Sequence, residues 1–292
     1  MNYRLIIFSV ALLFLPPLAF TLAGQEWDAP LPVAGDVWLP ALFAMLAVSA
    51  FGLLLDTLTF RRGNHSLLRS QRNYLLWCGV AGLLAAMLLA YLNLFADAWF
   101  TPAANAAALL LAALAGMVLL PAVLITRMWL AGLPGLVKLG TRRFALPALP
   151  AEAAAKSLLF ATALGLMLAP IHIHELSWLL WLSPLLLLVA LQLLWHESNV
   201  FSGLAQGDWS RVLLGSFSGI LVCGFALASY RLAGGVIYLP SGIPPLLVGF
   251  TLFGLLCLQI GDIVAEHWRG KPRGEVFRKK PFPISVVSKK DQ

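Results

Sequence analysis

Charged residues are scarce in this chain. They make up 11% of its 292 residues, where an ordinary soluble domain carries about 25%. With 60% hydrophobic residues and a mean hydropathy of +0.87, a water-soluble fold has no way to hide its apolar surface. Lipid is therefore the solvent for most of the chain. Cysteine is scarce too: Cys78, Cys223 and Cys257 each lie inside an apolar run, with no CxxC spacing. That argues against a disulfide framework and leaves them as small packing residues. There is no phosphate-binding glycine loop, no GxSxG elbow and no HExxH pair. No helix carries a voltage-sensor arginine ladder or the repeated carboxylates of a proton relay.

What is present is a succession of apolar stretches. A bilayer core needs about 20 residues of helix, and about eight stretches qualify. They run over 4–22, 38–57, 74–95, 104–130, 155–172, 178–195, 211–232 and 243–265. Pro16 and Pro17 are expected to kink the first and Pro121 the fourth, with neighbouring helices repairing the backbone. Arg4 followed by Leu5–Leu22 also has the look of a signal peptide. No small-x-small cleavage site follows it, so this segment is expected to stay in the membrane.

The basic residues gather on one side of these stretches. Arg61, Arg62, Arg69 and Arg72 follow the second; Arg127, Lys138, Arg142, Arg143 and Lys156 follow the fourth; the segment 269–292 carries a further set. Arg4 and Arg211 fall on the same side, and Arg231 on the other, where Glu26, Asp28, Asp36, Asp97 and Glu175 lie. The positive-inside rule then places both termini in the cytoplasm of a bacterial inner membrane. The net charge of +7 is a topology signal and calls for no nucleic-acid partner. The tail after Trp268 is a topology signal or a contact for anionic headgroups.

A shift of about 140 residues brings landmarks into register. Trp38 falls on Trp178, Gly63 on Gly203 and Gly79 on Gly219; one residue fewer places Trp99 on Tyr238 and Trp129 on Trp268. Pro17 meets Pro170 at a shift of 153, the difference being the longer first outer loop. Four helices per half keep both halves in one orientation, so the repeat is parallel. The expected fold is all-α: residues 1–135 form one four-helix repeat, 136–154 a cytoplasmic linker, 155–268 the second repeat and 269–292 a basic tail.

Ionisable residues inside membrane helices are functional candidates by default. Asp56 ends the second stretch, His196 and Glu197 end the sixth, and Asp262 and Glu266 share a face of the eighth. All sit near the cytoplasmic boundary, as a headgroup or cation pocket or as interfacial groups pairing with arginines. On the other side, Arg231 either binds an anion or snorkels to water. His172, His174 and Glu175, in the turn IHIHELSW, are weak metal candidates. No second cluster completes a shell, and anchoring at the headgroups beside Trp178 and Trp181 is the stronger reading. Haem would need facing histidines, and His65, His196 and His267 all lie at helix ends, so no cofactor is expected. Gln192 and Asn93 read as hydrogen-bonding glue between helices.

The stretch GLLLDTLTFRRGNHSLL (Gly52–Leu68) resembles an uncharacterised group of bacterial polytopic membrane proteins. Asn93 with Trp99, LPAVLIT (Leu120–Thr126), QGDW (Gln206–Trp209), LVCGF (Leu221–Phe225) and IYLP (Ile237–Pro240) continue the likeness, from about residue 50 to 240. The resemblance implies the multi-helix fold and no reaction. Where the group carries membrane-embedded glutamates, this chain has Ala90, Ala228 and Ile125, and Arg231 replaces the second asparagine.

Three functions fit this sequence. The leading one is a structural or interaction subunit of a membrane assembly, favoured by scarce buried charge and by small residues that let helices approach closely. The second is binding or transport of a lipid or other lipophile. The third is an enzyme acting on a lipid-linked substrate, which needs acid–base groups within hydrogen-bond reach. Membrane lipids, and other membrane proteins for the first, are the expected partners.

Overall fold

The computed structural model describes residues 37–63, 66–96, 98–101, 105–140, 144–147, 150–167, 173–239 and 242–268. The first expected helix with its Pro16–Pro17 kink, the basic tail, His65, Asp97 and His172 lie outside them.

Each of the other expected stretches coincides with a helix. These are α1 (Trp38–Gly63), α3 (Arg72–Ala96), α4 (Asn105–Ala131), α6 (Ala151–Met167), α7 (Ile173–Leu194), α8 (Ser210–Leu232) and α9 (Ile243–Trp268). Short helices α2 (Leu67–Ser70) and α5 (Pro134–Gly140) lie in connections, α5 within the expected linker. No strand forms among the described residues; an antiparallel backbone bridge joins Phe100 and Tyr238.

Six of these helices, α1, α3, α4, α7, α8 and α9, are long and apolar enough to cross a membrane. This is a multi-pass helical membrane protein. Helix α6 has 17 residues, about 26 Å of helix against a hydrocarbon core of about 30 Å. The segment IHIHELSW is not a tight turn throughout: α7 starts at Ile173 and takes in His174 and Glu175.

Three hairpins build the bundle: α3 with α4, α6 with α7, and α8 with α9. Helices α4 and α8 are central. Each touches the other as well as α1 and α9, while α7 reaches α9 and α3. Glycine permits two close crossings. A Cβ at Gly82 would collide with the Gly116 carbonyl oxygen, and one at Gly219 with the Phe250 carbonyl oxygen and the Gly254 backbone. Pro121 lies inside α4 and deprives the Met117 carbonyl of its helical donor. Gly79 packs against that oxygen, a Cβ there falling 3.2 Å away.

The shared core contains Val48, Leu55, Leu120, Val123, Val222 and Cys257, all almost fully buried. Outward, Leu39 and Leu46 of α1 are 67% and 70% exposed. Such a surface is at home in lipid, where the backbone satisfies its own hydrogen bonds. The three cysteines are buried free thiols.

Candidate functional site

The bundle has a basic end and an opposite end. Arg61 and Arg62 close α1, Arg72 opens α3, Arg127 lies in the last turns of α4 and Arg211 opens α8. Hairpin connectivity brings these helix ends together, along with the C-terminal end of α9.

At the basic end Asp56 is buried, yet fully engaged. Its carboxylate accepts the Ser66 hydroxyl, the Leu67 N–H at 3.0 Å and the Leu68 N–H at 3.4 Å. The Ser66 Oγ in turn accepts the Arg69 N–H at 3.1 Å. Several donors on one carboxylate offset much of the cost of taking its charge out of water. The side chain thereby fastens the connection between α1 and α3 to the end of α1. Arg62 sits over the Trp129 ring at 5.8 Å and Arg69 over Phe60 at 4.1 Å.

Asp262, on α9, forms an ion pair with Arg211 of α8. Tyr74 of α3 donates to the Gly261 carbonyl beside it at 3.2 Å. Arg127 of α4 lies within electrostatic reach of both Asp262 and Arg211. Helices α3 and α8 thus meet α9 around Gly261 and Asp262, with α4 packed against α8 and α9. Sequence reasoning assigned Arg127 and Arg211 to topology alone. Their positions inside α4 and α8, and the pairing of Arg211 with a carboxylate on α9, could be read only from the packing. Glu266, one turn beyond Asp262, is half-buried and engaged.

His196 is exposed and adopts a left-handed backbone, φ 55°. Glu197 is buried and engaged, its N–H donating to the Gln192 carbonyl at 2.8 Å. Gln192 and Gln259 do join α7 to α9: the Gln259 amide donates to Gln192 and its oxygen accepts the Val200 N–H at 3.0 Å. Asp56, His196 and Asp262 therefore serve three local structures, with different partners. Just outside α8, the Ser210 hydroxyl and N–H, aided by Arg211, hold the Asp208 carboxyl below its usual value.

The opposite end is built differently. Asn93, expected as glue between helices, instead clasps the end of its own helix. It donates to the Trp99 carbonyl at 2.8 Å and accepts the Ala98 and Trp99 N–H groups at 3.0 and 3.2 Å. Arg231 donates to the Ile237 carbonyl at 2.6 Å. The two clasped segments meet through the Phe100–Tyr238 bridge, with N–H to carbonyl distances of 2.9 Å both ways. The Trp99 ring packs against Trp181 of α7, centroids 5.1 Å apart and planes tilted by 32°. His174 and Glu175 begin that same helix, and among the described residues no group of metal-ligating side chains converges.

Between the helices at this end lies a cavity of about 470 Å³. Ala41, Ala44 and Val48 of α1, Ala90 of α3, Ala112 and Ala115 of α4, and Ala226 of α8 form its walls. Trp99, Phe100 and Ile237 close it toward the loops. Among the described lining residues the one titratable group is Tyr230, whose hydroxyl donates to the Val236 carbonyl at 3.4 Å. The sequence carried a signal for this space in its alanines, but alanine looks the same where helices touch and where they leave room.

No family model matches the chain, and neither a curated protein nor a solved structure matches it.

Proposed function

We propose that this chain is a lipophile-binding protein of the bacterial inner membrane, with both termini cytoplasmic and eight spans arranged as two parallel four-helix repeats. The observation that carries the reading is the cavity. Its volume falls in the range of small-molecule sites, about 300–1,000 Å³, and apolar walls with few polar groups are typical of them. Helices α1, α3 and α4 contribute from the first half and α8 from the second. The ligand then sits where two repeats meet, a common position for sites in repeat-built membrane proteins. The absence of an acid–base pair among the described lining residues favours binding over turnover.

Packing supports the repeat. The α3–α4 hairpin has its counterpart in α8–α9, and the α1–α4 contact in α7–α9. Across the halves, α1–α8 corresponds to α7–α3, and α4–α8 to α9–α3. The loop clasps correspond as well. A shift of 138 residues, one fewer than the register that sets Trp99 on Tyr238, carries Asn93 onto Arg231 and Trp99 onto Ile237, and both pairs bond side chain to carbonyl. Basic residues collected at one end support the orientation.

The test is mass spectrometry of the organic extract from protein purified in mild detergent, comparing wild type with Ala112→Trp, whose indole fills the cavity. The expected result is one enriched lipophile, reduced about tenfold or more in the variant, as befits loss of a buried apolar site. A stoichiometric protein partner with no enriched lipophile in the wild type contradicts the reading and favours the scaffold role.

A further inference from the structure

The cavity at the clasped end is not uniform along its length. Its lining runs from Val37 to Val48 on α1 and from Ala108 to Leu119 on α4. At a rise of about 1.5 Å per residue that is a depth of about 17 Å, a little over half of a hydrocarbon core of about 30 Å. The deep end is apolar, formed by Val48, Val118, Leu119 and Ala226. Polar lining residues stand at the shallow end. Asn93 lies in the last turn of α3, Thr101 in the connection that follows, and Tyr230 in the last turn of α8.

Volume and charge narrow the occupant. A methylene group fills about the room of a water molecule, about 30 Å³, so a cavity of about 470 Å³ takes about 16 chain atoms. That is one hydrocarbon chain, not the two of a phospholipid. The described lining residues include no charged side chain. Arg231, beside Tyr230 in sequence, donates to the Ile237 carbonyl. An ionised carboxylate or phosphate drawn in here would lose its water without gaining a counter-ion. That costs far more than burying an uncharged polar group that finds a hydrogen bond. Hydrogen bonds are on offer at the shallow end. An amide nitrogen has two donors, and Asn93 gives one to the Trp99 carbonyl. Tyr230 reaches the Val236 carbonyl at 3.4 Å, a long bond that a closer acceptor would displace. Thr101 adds a hydroxyl, able to donate and to accept.

We propose that the cavity takes a single-chain lipid with an uncharged, hydrogen-bonding end. That end, a hydroxyl or an ester or ketone carbonyl, sits among Asn93, Thr101 and Tyr230, and the chain runs down between the alanines toward Val48 and Leu119. The inference rests on the lipophile-binding reading above and names the class of lipophile. The molecule keeps the orientation it has in the leaflet at the clasped end, with its polar group at the surface and its chain toward the midplane.

The test is equilibrium binding of tritiated probes to the delipidated full chain in detergent, read by scintillation proximity. The probes share one chain length: tetradecane, 1-tetradecanol, methyl tetradecanoate and tetradecanoate, the last at a pH well above the carboxyl range so that it is ionised. At equal mole fraction in the micelle, tetradecanol and methyl tetradecanoate are expected to bind about tenfold or more tighter than tetradecanoate. Thr101→Val and Tyr230→Phe are each expected to weaken tetradecanol about fivefold and to leave tetradecane unchanged. That pairing separates loss of a hydrogen bond from loss of the cavity, and should one variant fail to fold, the other carries it. Tetradecanoate bound as tightly as tetradecanol would make Arg231 a counter-ion and overturn the uncharged end, while leaving the cavity reading standing. Tetradecanol binding unmoved by both substitutions would overturn the placement of that end. If none of the probes binds to wild type, the cavity reading fails and this inference with it.

Discussion

The two ends of the bundle solve the same problem with different sets of contacts. Each must close connections between helices without leaving polar backbone in hydrocarbon. At the basic end the closure uses carboxyl groups: Asp56 holds the start of α2, and Asp262 with Arg211 ties α9 to α8. At the opposite end it uses a side-chain amide, one guanidinium on a carbonyl, a two-bond bridge and packed aromatics. Asp262 has its counter-ion in Arg211, while Asp56 is held by a hydroxyl and two backbone N–H groups. At the opposite end the one charged group of the closure, Arg231, is turned onto a backbone carbonyl, and the remaining contacts are uncharged. The difference teaches that polar residues near helix ends do not mark a site by themselves. Most are closing the fold, and sites are found where donors or volume remain after closure is complete.

Between the ends, the glycine crossings set the distances on which both depend. The largest effect is therefore expected from Gly82→Val, which drives a side chain into the Gly116 carbonyl and forces α3 from α4. The cost is about 3 kcal/mol or more, read as loss of folded protein on size exclusion in detergent. Gly135→Ala, which meets no atom within 4 Å, is expected to behave as wild type. If both variants are equally stable, the crossing is not what fixes the spacing of the two ends.

Next comes Asp56→Ala. It leaves the Ser66 hydroxyl and the Leu67 and Leu68 N–H groups without their acceptor, at a cost of about 1–3 kcal/mol. The loosened α1–α3 connection should be cut after Arg69 by trypsin faster than in wild type, while the opposite end is unaffected. Faster cleavage at both ends would show that they are not independent.

The smallest effect concerns Asp208. Its folded-state pKa is depressed, mainly by Ser210. It therefore contributes stability above the ordinary carboxylate value of 3.8, and loses it as pH falls through the lower folded value. The difference in melting temperature between wild type and Asp208→Ala is expected to shrink on acidification below that value. A difference that grows instead would reverse the sign.

Much of the fold was legible because hydrocarbon imposes a coarse code. Runs of about 20 apolar residues announce helices, and α3, α8 and α9 begin and end within a few residues of where hydropathy put them. The start of α7 was less legible, because IHIHELSW mixes imidazoles and a carboxylate into a helix that hydropathy alone starts later. Sites were harder still. Asp56 could be marked as an acid at a helix end, but its partner Ser66 lies ten residues on, across a connection that hydropathy does not describe. Asn93 has the same composition signal whether it bonds to another helix or to its own C-terminal segment; the six-residue reach to Trp99 decides it. Arg127 counted as a loop charge, and only the packing of α4 against α8 and α9 turns it inward.

Orientation decides the whole account, since the basic end and the clasped end exchange compartments if it is wrong. The direct measurement is labelling of single introduced cysteines in intact spheroplasts with a membrane-impermeant maleimide, the three native thiols being buried. Ala233→Cys, beside the Arg231 clasp, should be labelled from outside, and Arg61→Cys only after lysis. Labelling of Arg61→Cys in intact spheroplasts, with Ala233→Cys protected until lysis, would contradict the account.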